Sequence, residues 1–242
     1  MATHLPRAIQ ELAYEREAQA YLRSLPPEHF MEATAQATQR KITLESLDLV
    51  TARRPEVRVF NELLVQYPRR GRRKLGQVVP DNMVVLTTEP IRAGSSYNVP
   101  LEPAPPFWVL EYVSKGHERK DYEDSFRKYE RELKVPYYLI FYPDTQDLTL
   151  YRHNRRKYVS VKPNQHGRYP IAQLDLEMGL HDGWVRYWYE GELLPLPADL
   201  QRELDQARRQ AAAEKQRADE LQQRLEEAER QLAELRARLG QR

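Results

Sequence analysis

Apolar positions along the chain change their period several times, and each change marks an element. From Leu5 to Leu25, Ile9, Leu12, Ala13, Ala20 and Leu22 recur at loose helical spacing up to the Pro26-Pro27 stop, which predicts an N-terminal helix. A second helix is expected from about Thr34 to Val50. Val57, Val59, Phe60 and Leu63 to Tyr67 form a β-branched and aromatic run closed by Pro68, read as one strand with an irregularity near Asn61-Glu62. Val78 to Leu86 and Phe107 to Val113 are expected to be the second and third strands, each apolar enough to be covered on both faces.

Lys120 to Lys134 places Phe126, Tyr129 and Leu133 on one side of a helix, and Tyr137 to Tyr142 then reads as a central strand. Leu148 to Tyr151 is expected to pair with Tyr158 to Val161, and Ile171 to Trp188 to close the domain around a turn at Asp182-Gly183-Trp184. Strand, helix, strand in this order predicts a crossover unit in an α/β mixed sheet flanked by helices.

Beyond Pro197 the pattern is different in kind, because glycine and aromatic residues give way to Ala, Glu, Gln, Arg and Leu. Leu200, Leu204, Ala207, Ala211, Ala218, Leu221, Leu225, Ala228, Leu232, Leu235 and Leu239 follow alternating heptad steps, with Glu214 the one violation. A C-terminal coiled-coil helix is expected, pairing with a second copy of the chain or with another helix. The expected division is an N-terminal helical arm over 1–29, a domain over 30–195 and a coiled coil over 196–242.

Composition narrows the function classes. With 38 basic and 36 acidic residues in 242, net charge names no strongly attracted partner, so any nucleic-acid surface must be a local patch. One such patch is Arg69-Arg70-Gly71-Arg72-Arg73-Lys74, where five cations surround a turn glycine: a solvated hairpin turn or a phosphate contact. No cysteine is present, which excludes disulfides, thiolate zinc sites and cysteine nucleophiles. No run of eighteen apolar residues occurs, so a cytoplasmic protein with no membrane partner is expected. Phosphate-cradling glycine loops, dinucleotide fingerprints and Ser-His-Asp signatures do not appear, and the histidines, His117 among them, have no ligand spacing.

Two acids stand out against this background. Asp81 and Glu111 fall in strands apolar enough to be buried, where a carboxylate needs a partner or a metal ion. Hydrolysis of a phosphodiester uses such acids to fix a divalent cation beside the scissile phosphate. Pro80-Asp81 on one strand, with Glu111 on a later apolar strand, follows the order of the PD-(D/E)XK nucleases, although Val113 stands where that motif has lysine. The pattern by itself does not separate a nuclease from two edge carboxylates.

Across roughly Phe30 to Leu194 the chain resembles the Uma-type family of restriction-endonuclease-like proteins. The resemblance is carried by Glu111-Tyr112-Val113-Ser114, Asp121, Tyr129, Val135-Pro136-Tyr137-Tyr138 and Pro143. It implies a restriction-endonuclease-like fold, DNA as substrate, and Mg²⁺ or Mn²⁺ held by Asp81 and Glu111 with the Tyr112 carbonyl as a further ligand. The sequence departs from the family at Ser125, four before Tyr129, where a migrated catalytic lysine is usual. Lys115, Lys120 and Lys128 are nearby cations, of which Lys120 and Lys128 are the catalytic candidates, and Glu45 and Glu62 are further acids in reach of the site's elements. Two functions are therefore expected to compete: a metal-dependent DNA endonuclease, and a catalytically silent scaffold of the same fold acting through its coiled coil.

Overall fold

The computed structural model describes residues 6–25, 34–69, 71–72, 74–113 and 119–239, without the side chains of 119–122, 234, 235 and 237–239. The chain divides into two units, Met1–Leu194 and Pro195–Arg242.

The first unit opens with α1 (Arg7–Ser24) and α2 (Thr34–Arg53). Residues 39, 42, 43, 46, 47 and 50 of α2 are buried, a helical stripe at three- and four-residue steps. The buried stripe mixes polar Gln39, Thr43 and Ser46 with apolar Ile42, Leu47 and Val50, so one helix both seals the core and presents hydrogen-bonding groups to it.

A six-stranded mixed sheet forms the body of the unit. Its strands are β1 (Val57–Asn61), β4 (Asn82–Leu86), β6 (Pro106–Tyr112), β7 (Tyr137–Tyr142), β8 (Asp147–His153) and β9 (Tyr158–Ser160), in the order β1-β4-β6-β7-β8-β9. Only β6 and β7 run parallel, and the chain between them carries α3 (Arg119–Arg127) and a π-helical turn (Lys128–Leu133). Side chains alternate across the sheet. Trp108, Leu110 and Tyr112 of β6 join Leu47 and Val50 of α2 in one core, while Val109 joins Met83, Val85, Tyr129, Tyr138 and Ile140 in the other.

Two runs expected to form single strands, the first with an irregularity near Asn61-Glu62, are each divided in two. The run Val57 to Tyr67 divides at Glu62, which adopts a left-handed φ of 47°, into β1 and β2 (Leu64–Tyr67). The run Val78 to Leu86 divides at Pro80-Asp81 into β3 (Gly76–Val78) and β4, because Pro80 has no N–H to continue a ladder. Strands β2 and β3 leave the large sheet and, with β5 (Ser96–Asn98), make a three-stranded sheet of order β3-β2-β5. The excursion returns beside its starting point, since the Glu62 N–H donates to the Asp81 carbonyl at 3.2 Å.

The small sheet holds α1 in place: the buried Gln66 and Gln77 side-chain amides donate to the Tyr14 and Glu17 carbonyls at 2.9 and 3.2 Å. Gly76 lies opposite Tyr67 in the β2–β3 register, and a Cβ there would sit 2.2 Å from the Tyr67 ring. Gly76→Ala must therefore displace a buried aromatic ring. It is expected to destabilise the domain by about 1–3 kcal/mol, the range for overpacking, read as a lower midpoint in urea unfolding.

The segment expected to close the domain forms a sheet of its own: β10 (Tyr169–Ile171), β11 (Leu176–His181), β12 (Trp184–Tyr189) and β13 (Glu192–Leu193), an antiparallel meander. Its turn falls at Asp182-Gly183, both at positive φ. Met178, Val185 and Tyr187 pack into the core shared with α2. The Gln39 amide donates to the Val185 carbonyl at 3.0 Å and its oxygen accepts the Val185 N–H at 2.8 Å, the pairing a neighbouring strand would supply.

The second unit is α4 (Pro197–Leu239), 43 residues of continuous helix. Pro197 suits a first helical position, and the Asp199 carboxylate accepts the Leu196 N–H at 3.0 Å. Leu200, Leu204, Leu221, Leu225 and Leu232 are exposed along it. Gln201–Asp205, Gln216–Glu220 and Gln222–Glu226 hydrogen bonds at four-residue spacing support the polar faces. Among the described residues no helix is long and apolar enough to cross a membrane.

Candidate active site

The registers of three neighbouring strands set three acids on one rung. In β1–β4 the last pair is Asn61 with Asn82, and one step further lie Glu62 and Asp81. In β4–β6, Asn82 pairs with Leu110, and the next step sets Asp81 opposite Glu111. Opposed residues of an antiparallel pair have Cβ atoms about 4.5–5.5 Å apart, so the two carboxyl groups cannot avoid each other. The two-residue alternation puts both on the side of Met83, Val85 and Val109, facing Tyr129.

Each acid is held by its own donor. The Asp81 Oδ2 accepts the Tyr112 N–H at 2.6 Å, which turns the end of β6 into a clamp on the carboxylate. The Glu111 Oε1 accepts the Tyr129 hydroxyl at 2.6 Å. Burial pushes the Asp81 carboxyl up, against the opposing pull of the Tyr112 N–H and of Arg40. Burial and then the Asp81 charge push Glu111 well above the carboxylate range, with the Tyr129 hydroxyl working the other way. Burial and the charge of Glu111 likewise hold the Tyr129 phenol up, so it remains a hydrogen-bond donor. Two acids forced together in a poorly solvated corner call for a proton or a cation between them.

Helix α2 supplies the rest of the wall. Gln36, Arg40 and Thr43 follow one another at four and three residues, hence on one face. The Gln36 amide donates to the Tyr112 carbonyl at 2.8 Å. The Arg40 guanidinium pairs with Glu62 at 2.8 Å and lies 3.6 Å from Asp81 Oδ1. Thr43 Oγ1 bonds the hydroxyls of Tyr112 at 2.7 Å and Tyr187 at 2.8 Å, and the Tyr112 hydroxyl also donates to Asn82 at 2.7 Å. This buried network locks β6 against α2, β4 and β12 directly behind the acids.

Of the residues singled out in the sequence, Asp81, Glu111 and the Tyr112 backbone are brought together, and Glu62 reaches them through Arg40. Lys128 is placed elsewhere: its Nζ pairs with Asp124 at 2.7 Å, on the turn residue preceding Tyr129. Glu45 pairs with Lys41 at 3.8 Å and lies about half a turn away from the face of Gln36 and Arg40. Lys115, His117 and the side chains of Lys120 and Asp121 lie outside the described residues. Arg40 and Gln36 were not anticipated. The signal for them was the polar spacing Gln36, Arg40 and Thr43 along one face of the helix.

The donor set can hold a hard divalent cation. Two carboxylates and a main-chain carbonyl are all oxygen ligands, and a carbonyl oxygen that accepts one hydrogen bond keeps a second lone pair. Glu62 is engaged by Arg40, and among the described residues no three acidic or imidazole side chains are placed to hold one metal ion together, so such an ion would complete its shell with water or substrate oxygens.

The family model Uma2, described as "Putative restriction endonuclease", matches residues 10–186. Among solved structures, the chain is similar to a crystal structure of "a putative nuclease belonging to DUF820" from Anabaena variabilis ATCC 29413. That similarity has a TM-score of 0.46 at 15% sequence identity, covering 60% of this chain and 75% of the other. No curated protein matches the chain.

Proposed function

Because the chain belongs to the Uma2 family of restriction-endonuclease-like proteins, and because two acids converge at neighbouring strand ends, we propose that it is a metal-dependent endonuclease acting on DNA. The observation that carries this reading is the Asp81–Glu111 pair, two mutually repelling carboxyl groups each held in place by a separate donor. A bound Mg²⁺ or Mn²⁺ would be held by Asp81, Glu111 and the Tyr112 carbonyl, and would lower the pKa of a water and offset charge on the scissile phosphate.

The chain's own residues prepare that chemistry. The Tyr112 N–H and the Tyr129 hydroxyl fix the two carboxylates, so little rotamer freedom remains to be lost when substrate arrives. Gln36 orients the Tyr112 carbonyl. Arg40 provides the permanent positive charge at the site that neither Val113 nor Ser125 can provide, since guanidinium stays protonated and binds phosphate well. In this reading the cation of the reaction comes from α2, with Glu62 holding Arg40 in reach of Asp81.

The exposed leucine stripe of α4 supports pairing with a second copy of the chain, since a helix of this length buries such a stripe only against another helix.

One titration tests the enzymatic reading. Mn²⁺ added to the purified protein is expected to bind by calorimetry, and supercoiled DNA to be nicked only when Mg²⁺ or Mn²⁺ is present. A protein that binds no divalent ion and leaves DNA intact would sink the endonuclease and leave a scaffold of the same fold.

A further inference from the structure

Beside the candidate site, on the outer side of the π-helical turn, lies a cleft of about 730 Å³ that the proposed chemistry does not use. Its walls come from three places far apart in sequence: the end of α1 with Tyr21 and Ser24, the β2–β3 turn, and the α3 end with the π-turn. The β2–β3 turn contributes Arg69, Arg72 and Lys74, and the α3 end with the π-turn contributes Arg127, Lys128 and Arg131. Among the described lining residues the acids are Asp124 and Glu132, and Arg131 is paired with Glu130 at 3.4 Å.

The two acids are already engaged. Glu132 accepts from Arg69 at 2.7 Å and from the Tyr67 hydroxyl at 2.9 Å, which ties the β2–β3 turn to the π-turn. Asp124 bonds both Lys128 and Arg127. Burial works against its ionisation, but the two cations outweigh this and keep its carboxyl below the usual range. Arg72 and Lys74 are exposed and have no acidic partner among the described residues. The cleft thus keeps two cations without an acidic partner beside four paired ones, and a polyanion is the ligand that relieves their repulsion.

The π-turn gives the cleft its relation to the site. Tyr129 points inward to Glu111, while its neighbours Lys128 and Glu132 face the cleft. We infer that this cleft binds the phosphodiester backbone of DNA flanking the scissile phosphate, so that one turn of chain carries both the positioning of Glu111 and the grip on the strand. The ligand is recognised through phosphate charge, not base edges, so the grip is independent of sequence.

The inference rests on the proposed function only in taking DNA as the substrate. The test is binding of fluorescent duplexes of two unrelated sequences by anisotropy, without divalent metal, across a salt series. Arg72→Ala/Lys74→Ala is expected to weaken both duplexes equally, roughly tenfold at moderate salt. It should also lower the slope of log affinity against log salt by about 1.8, two phosphate contacts at about 0.9 each. Arg72→Gln/Lys74→Gln repeats the measurement with the side-chain stems retained, and thermal melts confirm that both variants fold.

Mn²⁺ binding by the same variants is expected to equal that of wild type, which separates failure of the cleft from failure of the metal site. Unchanged affinity and salt slope in the variants would overturn the inference, as would a wild-type protein that binds neither duplex. Binding of inorganic phosphate with no binding of DNA would make this a free-anion site and overturn it too.

Discussion

Glu111→Gln is expected to abolish Mn²⁺ binding and reduce DNA cleavage by at least about 10²-fold, the scale of removing one charge-stabilising group, while leaving the protein more resistant to heat. The two effects have one origin. Glutamine keeps an oxygen to accept the Tyr129 hydroxyl and gains an N–H to donate to Asp81, so the geometry survives and the like-charge contact disappears. A carboxyl whose folded value lies well above its ordinary 4.5 keeps its proton after the unfolded chain has released it. Wild-type stability therefore falls as pH rises from 4.5 toward the raised value, and a side chain that does not titrate escapes this loss. The advantage of the variant should be absent in acid and grow as pH rises through that window, reaching about 0.5–2 kcal/mol, a common size for relief of active-site strain. Melting curves of both proteins without metal at a series of pH values decide it. A variant that melts below wild type at neutral pH would mean that the acid pair stabilises the fold and that the Asp81–Glu111 contact stores no strain.

Deleting Pro197 to Arg242 is expected to convert a dimer into a monomer without unfolding the first unit. Each chain has a mass of 28.7 kDa, so light scattering should report about twice that for the full-length protein and a single shortened chain for the variant. The first unit keeps both of its cores, and its last buried side chain is Leu194. The Leu221, Leu225 and Leu232 seam has four- and seven-residue steps, the spacing at which helices supercoil about each other. If the full-length protein is already monomeric at micromolar concentration, the seam serves some other helix.

The sequence made the apolar elements legible because period and β-branching report burial directly. Residues 7–24, 34–53, 106–112 and 137–142 come within a few residues of their expected limits. The division at Pro80-Asp81 was not legible, and at Asn61-Glu62 an irregularity was expected but not a passage into a second sheet. Pro80 was visible as a breaker, yet its neighbours on both sides were apolar enough to read as one run. At Glu62 the left-handed turn is imposed by the chain's passage from one sheet to another, and glutamate has no preference that announces it. The parallel pairing of β2 with β5 joins segments some thirty residues apart, which no local pattern encodes. The meander of β10 to β13 is built from consecutive strands, but its separation from the large sheet was not legible. At the site, the acids stood out because charge is anomalous in a strand. Arg40 did not, because an arginine on a helix is ordinary until the helix is known to lie over a carboxylate.

The Gln39–Val185 clasp spans 146 residues and so sets a clock on the newborn chain. At about 5–20 residues per second, some 7–30 s separate synthesis of the two partners. Throughout that interval α2 has no β12 to cover its polar stripe, and the first core has no floor beneath Thr43. Closure of the domain must wait for the meander, whose turn at Asp182-Gly183 is local and quick to form. Because α4 follows the meander in the chain, any pairing through its leucine seam would come after the first unit had been given all it needs to seal its own interior.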